Sequence, residues 1–389
     1  SASQLRDVIA LDSNYDDTTP NLLGTANTDW QDEIYRTAIS TDHNFSAKTN
    51  LYKVLPMRAS LGYTKNEGLV KTNDYERYNY SLKLTPKLFT DHLKIDANAR
   101  LINVVKNSID EGGALGGAIK MDPTKPLYDY SASNRFGGYY QDLVTNSNNI
   151  SGQYNPLALL EQRNRPERVL RFLGNIEMDY KMHFLPELRA VLNLGIDASK
   201  ARIRETFNNN AIATYRVINN DTDYVFNPGL NYLENQKMTN VTMDSYLAYA
   251  KSLDGFVNKF DIQGGYSYQN FKNDGNKEIY RYNIDTGLRE VQPNVNNPNN
   301  RYYNVLNLQS FFGRANIDLA NKYLVTLTFR ADGSSLFRED KRWGYFPSAA
   351  VAWKLKEESF LSNVAFVNDA KVRIGVGKTG QQDITGTVG

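Results

Sequence analysis

Three histidines, His43, His92 and His183, are the first residues to test for chemistry in this chain. Cysteine is absent, which excludes thiol nucleophiles, thiolate metal sites and disulfides. The sequence pattern places His43 at the start of a strand and His92 and His183 in short turns. So placed they stand far apart, and neither a shared metal site nor a hydrolase triad is expected. The stretch "DSNYDD" (12–17) imitates the start of a calcium loop, with Asp12, Asn14 and Asp16 at alternate positions. Its sixth position is Asp17 where the turn needs glycine, and its twelfth is Leu23 where a bidentate glutamate is needed. It reads as a polar loop, and weak Ca2+ binding is the one ion chemistry it would allow. "EGGALGGAIK" (111–120) is glycine-rich, but no strand-to-helix context or Lys-Ser/Thr pair accompanies it. It reads as a flexible loop, not a phosphate cradle. No cofactor and no enzymatic activity are expected.

The elements that would hold these residues are strands. Period-two alternation recurs along the chain. In "YERYNYSLKL", Tyr78, Tyr80, Leu82 and Leu84 share one face, with Arg77, Asn79, Ser81 and Lys83 on the other. In "FFGRANIDLA", Phe311, Ala315, Ile317 and Leu319 oppose Arg314, Asn316 and Asp318. About twelve such segments are predicted. They lie near 41–50, 54–65, 75–86, 92–104, 167–181, 187–200, 236–250, 256–272, 303–319, 322–332, 345–356 and 368–378. Short links (87–92, 181–187, 252–256, 320–322) alternate with long ones (105–166, 201–235, 273–302, 333–344). "NPLALLEQ" (155–162) predicts a short helix in the longest link, capped by Asn155 with Pro156 first.

The fold class expected is all-β, an antiparallel transmembrane barrel segment with long extracellular loops and short periplasmic turns. A soluble all-β adhesin or carbohydrate-binding module is the alternative; an outer-membrane barrel enzyme ranks behind it. The inward charges favour the barrel, since a sandwich would bury them unpaired. Composition agrees. The 389 residues include 26 Tyr and 17 Phe, which suit interfacial girdles. Mean hydropathy is −0.55. The 45 basic and 43 acidic residues leave a net charge of +2, with no basic face for nucleic acid. No leader-like segment opens the chain, and no stretch approaches a transmembrane helix.

The segment "YLVTLTFRADGSSLFREDKRWGYFPSAAVAWKLKEESFL" resembles the signature of SusC/RagA-like TonB-linked outer-membrane transporters. Its residues are Arg330, Asp332, Gly333, Ser334, Ser335, Phe337, Arg342, Trp343, Gly344, Tyr345, Phe346, Pro347, Ser348, Trp353, Glu357, Glu358 and Phe360. "TDWQDEIYRTA" (28–38), "RASLGYTKNEGLV" (58–70), "LTPKLFTDHLKI" (84–95) and "KVRIGVGKTGQQDI" (371–384) resemble further segments in the same order. One departure is Leu336-Phe337-Arg338 where the family more often has Arg-Phe-Gly.

The resemblance implies a plugged barrel of about 22 strands, of which this chain would supply the second to the thirteenth. Signal peptide, plug, TonB box and closing strand are not in the sequence. Residues 1–40 are then an extracellular loop segment and 41–389 barrel. It also implies uptake of oligosaccharides or peptides, energy from TonB and a SusD-like surface lipoprotein as lid. The signature is expected to build loop and girdle. Gly333 would take positive φ, with Asp332, Ser334 and Ser335 capping backbone N–H groups. Trp343, Tyr345 and Phe346 would re-enter the lipid interface. For the substrate, aromatic rings and hydrogen-bonding groups in two long loops are the candidates. These are Tyr128, Tyr130, Tyr139 and Tyr140, and Arg281, Tyr282 and Asn283.

Overall fold

In a computed structural model the alternating segments pair into one antiparallel sheet. The structure describes residues 1–11, 23–52, 54–219, 221–283, 285–286, 288–293 and 300–380. "DSNYDD" lies outside them. Twelve strands form the wall, in chain order: β1 Ser40–Leu51, β2 Leu55–Glu67, β3 Asp74–Leu84, β4 Leu93–Asn107, β5 Pro166–Lys181, β6 Leu188–Phe207. There follow β7 Gly229–Ser252, β8 Val257–Tyr282, β9 Arg301–Leu319, β10 Tyr323–Ser334, β11 Trp343–Lys354 and β12 Lys371–Gly377. Each pairs with its neighbour in sequence, so the sheet is an uninterrupted meander.

All twelve predicted segments are strands. Their lengths differ from expectation at one end. β6, β7 and β8 run on to Phe207, back to Gly229 and on to Tyr282, so much of the expected loops 201–235 and 273–302 is ladder. On β7 and β8 polar residues on both faces hide these extensions from a period-two search, and on β6 the apolar side passes to the inward face, with Ala201, Ile203 and Phe207 there. At the other end the links are short, except 355–370, which holds a helical turn at Ser359–Ser362.

Register assigns the faces. One ladder line joins Trp343, Gly333, Gln309, Tyr268, Met243 and Leu194. It continues through Ile176, Ala97 and Leu84 to Met57. It starts at the long-link end of β11 and finishes two residues from the short-link end of β2. Strands perpendicular to such a line are tilted, as a barrel wall requires. The line's face is mainly apolar. Its aromatic residues gather at two levels: Phe311, Trp343, Phe329 and Tyr345 above, and Tyr249, Phe260, Tyr323 and Trp353 below. Trp343 and Trp353 are ten residues apart on β11. That is about 33 Å along a strand, or about 25 Å of height at a tilt of roughly 40°, the span of a lipid-facing band.

The opposite face carries charge in pairs. Arg171 grips Asp197 at 2.8 and 2.6 Å, and Lys83 reaches Asp96 at 2.7 Å. Arg189 pairs with Asp179.

At the lower rim Glu358 accepts hydrogen bonds from Lys322 Nζ (2.7 Å), Trp353 Nε1 (3.0 Å) and Tyr323 Oη (3.2 Å). The Lys322 ammonium first, and then the Trp353 and Tyr323 donors, hold its carboxyl below the usual range. A depressed folded pKa stabilises above the unfolded value of about 4.3 and is lost as pH falls through the folded one. E358Q is therefore expected to lower the unfolding midpoint at neutral pH and to match wild type in acid. Denaturant melts of both proteins across that pH range check this; a difference that persists in acid refutes it.

The long links supply the dry core. α1 (Ala2–Leu11), α2 (Trp30–Ile34), α3 (Glu111–Lys120) and α4 (Pro156–Glu161) belong to it or lie beside it. Trp30 and Ile34 pack on Ala114, Ala118, Met121 and Leu160. Ala158 and Leu159 turn the other way, onto Phe136, Ile212 and Tyr215. α4 thus joins two clusters into a cap. The predicted cap of α4 is present: Asn155 Oδ1 accepts from Leu157 N and Ala158 N, both at 3.1 Å. "EGGALGGAIK" is helix α3, not a flexible loop. Asp110 caps it by accepting from Gly113 N at 3.1 Å. Its glycines allow close packing, since a Cβ on Gly117 would lie 3.3 Å from the Tyr154 carbonyl oxygen.

Candidate functional site

The signature segment builds a turn, a girdle and one wall of a cleft. Gly333 is extended and sits in the ladder between Gln309 and Trp343, not at positive φ. Glycine serves there because the Trp343 indole lies flat against it, 3.1 Å from where a Cβ would be. Ser335 Oγ accepts from Asn307 N at 2.9 Å and Ser334 Oγ from Leu336 N at 3.3 Å. Asp332 caps nothing: Arg330 Nε donates to it at 2.6 Å. Trp343, Tyr345 and Pro347 share the lipid face. Phe346 points inward with Gly344 and Ser348, opposite Arg330, because the alternation of the strand admits no third consecutive outward residue.

Beside the signature lies an inward cleft of about 430 Å3, lined by Gln269, Ser310, Arg330, Asp332, Arg342 and Phe346 among others. A second inward cleft, of about 710 Å3, is lined by Asn44, Asn79, Asn98, Asn175, Arg58 and Arg100 among others. Amides and guanidinium groups present donors and acceptors beside apolar side chains, among them Phe45, Leu82, Leu173 and Ile196 in the second cleft. That suits a polar, hydrated passenger. Sequence reasoning gave Arg330, Asp332, Arg342 and Phe346 a structural role only and assigned no site to the asparagine group. Their alternation was visible, but which inward residues share a ladder line follows only from register.

The loop tyrosines divide. Tyr128 and Tyr139 form an isolated antiparallel bridge, with ring centroids 5.5 Å apart. Tyr130 joins them, 5.8 Å from Tyr128, and is 83% exposed. Asn134 fixes the turn between them by accepting from Phe136 N and Gly138 N at 3.0 Å. Gly137 and Gly138 there take φ of 70° and 91°. Asp129 accepts from Ser131 N, which draws its carboxyl below the usual range. The Tyr139 hydroxyl donates to Glu161, and burial followed by that carboxylate raises its pKa. Tyr140 is not part of this platform. It packs on the Trp30 cluster and donates to Asp142. Arg281 and Tyr282 are remote, at the tip of the β8 extension, paired with Glu290 and Arg289. Asn283 donates to Glu290 at the same tip.

The histidines need one correction. His92 and His183 are not far apart: their rings stack with centroids 3.8 Å apart. β4 and β5 are neighbours, so the turns that precede β4 and follow β5 meet at the lower rim. His92 Nδ1 donates to the Lys181 carbonyl, and His183 Nδ1 shares a hydrogen bond with the Tyr180 hydroxyl, each at 2.7 Å. Among the described residues no group of three or more His, Asp or Glu is arranged to hold a metal.

No family model matches the chain. The TonB-dependent receptor SusC of Bacteroides thetaiotaomicron is 41% identical over 379 residues, which cover 95% of this chain and 36% of that receptor. The TonB-dependent receptor P3 of Formosa agariphila is 28% identical, over 93% of this chain and 35% of its own length. Among solved structures, the RagAB peptide importer superposes with a TM-score of 0.68 in its open-open state and 0.69 in its closed-closed state. Identity there is 17% and 18%, and the match covers 95% and 97% of this chain against 40% and 41% of the RagAB chain. The chain thus spans little more than a third of the curated relatives it matches. With the sheared wall, the two girdles and the polar inner face, this identifies it as a SusC/RagA-like segment of a TonB-dependent receptor barrel in the bacterial outer membrane.

Proposed function

We propose that this segment forms wall and outer vestibule of an outer-membrane importer of bulky polar nutrients. The 41% identity to a SusC receptor across 95% of the chain carries the reading. The amide-rich inner face supports it, because a hydrated cargo needs replaceable hydrogen bonds along its path. Oligosaccharides are the cargo we favour. The exposed Tyr128 and Tyr130, with the half-buried Tyr139 beside them, offer flat rings near the Glu161 carboxylate, a surface suited to the C–H faces and hydroxyls of sugars. Peptides are the second reading, because the RagAB importer, whose fold the chain shares, takes up peptides. A SusD-like lipoprotein would close over the extracellular loops, residues 1–40 among them, and TonB would supply energy through a plug. A calcium ion at 12–17 would be a structural addition to that loop. No bond of the cargo is broken.

The test is binding of oligosaccharide and peptide mixtures to the whole receptor in detergent. The triple variant Y128A/Y130A/Y139A is expected to weaken the preferred class by about tenfold to a hundredfold, from three lost ring contacts. Unchanged affinity for both classes would remove the tyrosines from the binding site.

A further inference from the structure

Five cations crowd the outward face of the wall where its apolar band ends. On β5 the lipid-facing positions close with Leu170, and Arg168 follows. On β6 they close with Ala198, and Lys200, Arg202 and Arg204 follow. On β7 they close with Val241, and Thr239 and Lys237 follow. Register brings the cations together. Lys200 stands directly opposite Lys237 on one side and Leu170 on the other, and Arg168 stands opposite Arg202. All five are exposed.

Like charges directly opposite one another destabilise a sheet, so this arrangement calls for a counter-charge. On the outward face of the adjacent β8 the acidic residues are Asp274 and Glu278, and both are engaged elsewhere, Glu278 by Asn276 Nδ2 and the Tyr280 hydroxyl. None of the five makes an ion pair among the described residues. Asp274, opposite Lys237, is taken by Arg301 at 3.4 Å. Glu205 points inward and is held by Arg163 at 2.6 Å and Arg165 at 3.4 Å. The patch is also displaced from any cargo path, since it faces away from the lumen. It is continuous with the lipid-facing band and stands at the height of the outer-leaflet headgroups. Strand spacing of about 4.8 Å and a two-residue step of about 6.7 Å spread the charges over roughly 10 by 13 Å. A sugar headgroup bearing phosphates matches that size and sign, and each phosphate oxygen takes charge-assisted hydrogen bonds from Lys or Arg.

We propose that Arg168, Lys200, Arg202, Arg204 and Lys237 bind the phosphate groups of a glycolipid headgroup in the outer leaflet.

The experiment titrates the whole delipidated receptor in neutral detergent with diphosphoryl lipid A, with its dephosphorylated form and with inorganic phosphate. Selective binding of the diphosphoryl form is expected. Each cation near a membrane surface contributes about fivefold, so K200Q/K237Q should weaken binding by roughly 25-fold and K200R/K237R should retain it. Equal binding of phosphorylated and dephosphorylated lipid overturns the proposal. So does a folded K200Q/K237Q that binds like wild type. Inorganic phosphate that binds as tightly as the lipid overturns the lipid assignment. Should K200Q/K237Q fail to assemble, the salt dependence of wild-type binding decides. A steep loss between about 0.05 and 0.5 M salt is expected, and a flat response overturns the proposal.

Discussion

A lysine at position 194 will cost the barrel about 2–4 kcal/mol, the depth-dependent cost of a cation on a lipid face at mid-membrane. Leu194 lies between Ile176 and Met243 on the outward ladder line, with Leu192 and Ile196 below and above it on β6. Its neighbour Asn193 faces inward, flanked by Glu177 and Asp244, and accepts from Asn175 at 2.6 Å. A lysine at 193 would meet two carboxylates and water. L194K is therefore expected to lower the yield of heat-modifiable, folded receptor in the outer membrane, and N193K to leave it near wild type. The pair differ by one residue in sequence and by the whole thickness of the wall. The reverse result would mean that the faces are assigned backwards.

Replacing Asn155 by alanine is the second large effect. Asn155 is 0% exposed. Besides capping α4, its Nδ2 donates to the Leu127 carbonyl at 3.0 Å and the Tyr140 carbonyl at 3.1 Å. One side chain thus ties the helix that joins both clusters to the strand-like segments carrying Tyr128 and Tyr139. Losing a cap costs about 1 kcal/mol, and each buried polar group left unpaired adds about 1–3 kcal/mol. The Leu127 carbonyl keeps Tyr140 N as a donor, so N155A is expected to loosen the cap by about 2–4 kcal/mol in total. Limited proteolysis should then cut between residues 108 and 165 far sooner than in wild type, while the wall stays folded. Equal protease resistance would show that the two clusters hold without this residue.

The strands were legible because one face of each meets lipid and the other meets water, and nothing else in the chain alternates so regularly. "FFGRANIDLA" and "YERYNYSLKL" lie on the faces that their spacing indicates. Legibility fails where that contrast ends. Above Tyr268 the outward side of β8 carries Asn270, Lys272, Asp274 and Asn276, and a ladder with water on both faces has the composition of a loop. α3 was hidden by its four glycines, which lower helix propensity but admit close packing against α4. The Trp30 and Ile34 anchors were visible as residues, yet their partners lie about ninety positions away. The stacked histidines follow from β4 and β5 being neighbours, so strand order already contained them. Phe346 was misjudged by reading three aromatic residues as a group where alternation separates them. The tyrosine platform was half legible: the loop was right, but only the bridge at Tyr128 and Tyr139 separates platform from core.

The meander also dictates an order of assembly. Every wall strand pairs with the strand next to it in sequence, so most hairpins close short loops and template the next, the link 108–165 between β4 and β5 being the long exception. The cap breaks that locality. Gly24 N donates to Thr124 Oγ1 at 2.9 Å across 100 positions, and Trp30 Nε1 donates to the Asp122 carbonyl at 2.9 Å across 92. Tyr215 must reach back 67 positions to the Asn148 carbonyl. These contacts carry a closure entropy that becomes small only after β1 to β7 have zipped and brought the link ends together. Nucleation therefore belongs to the wall, and the vestibule is the last part of the molecule to become native.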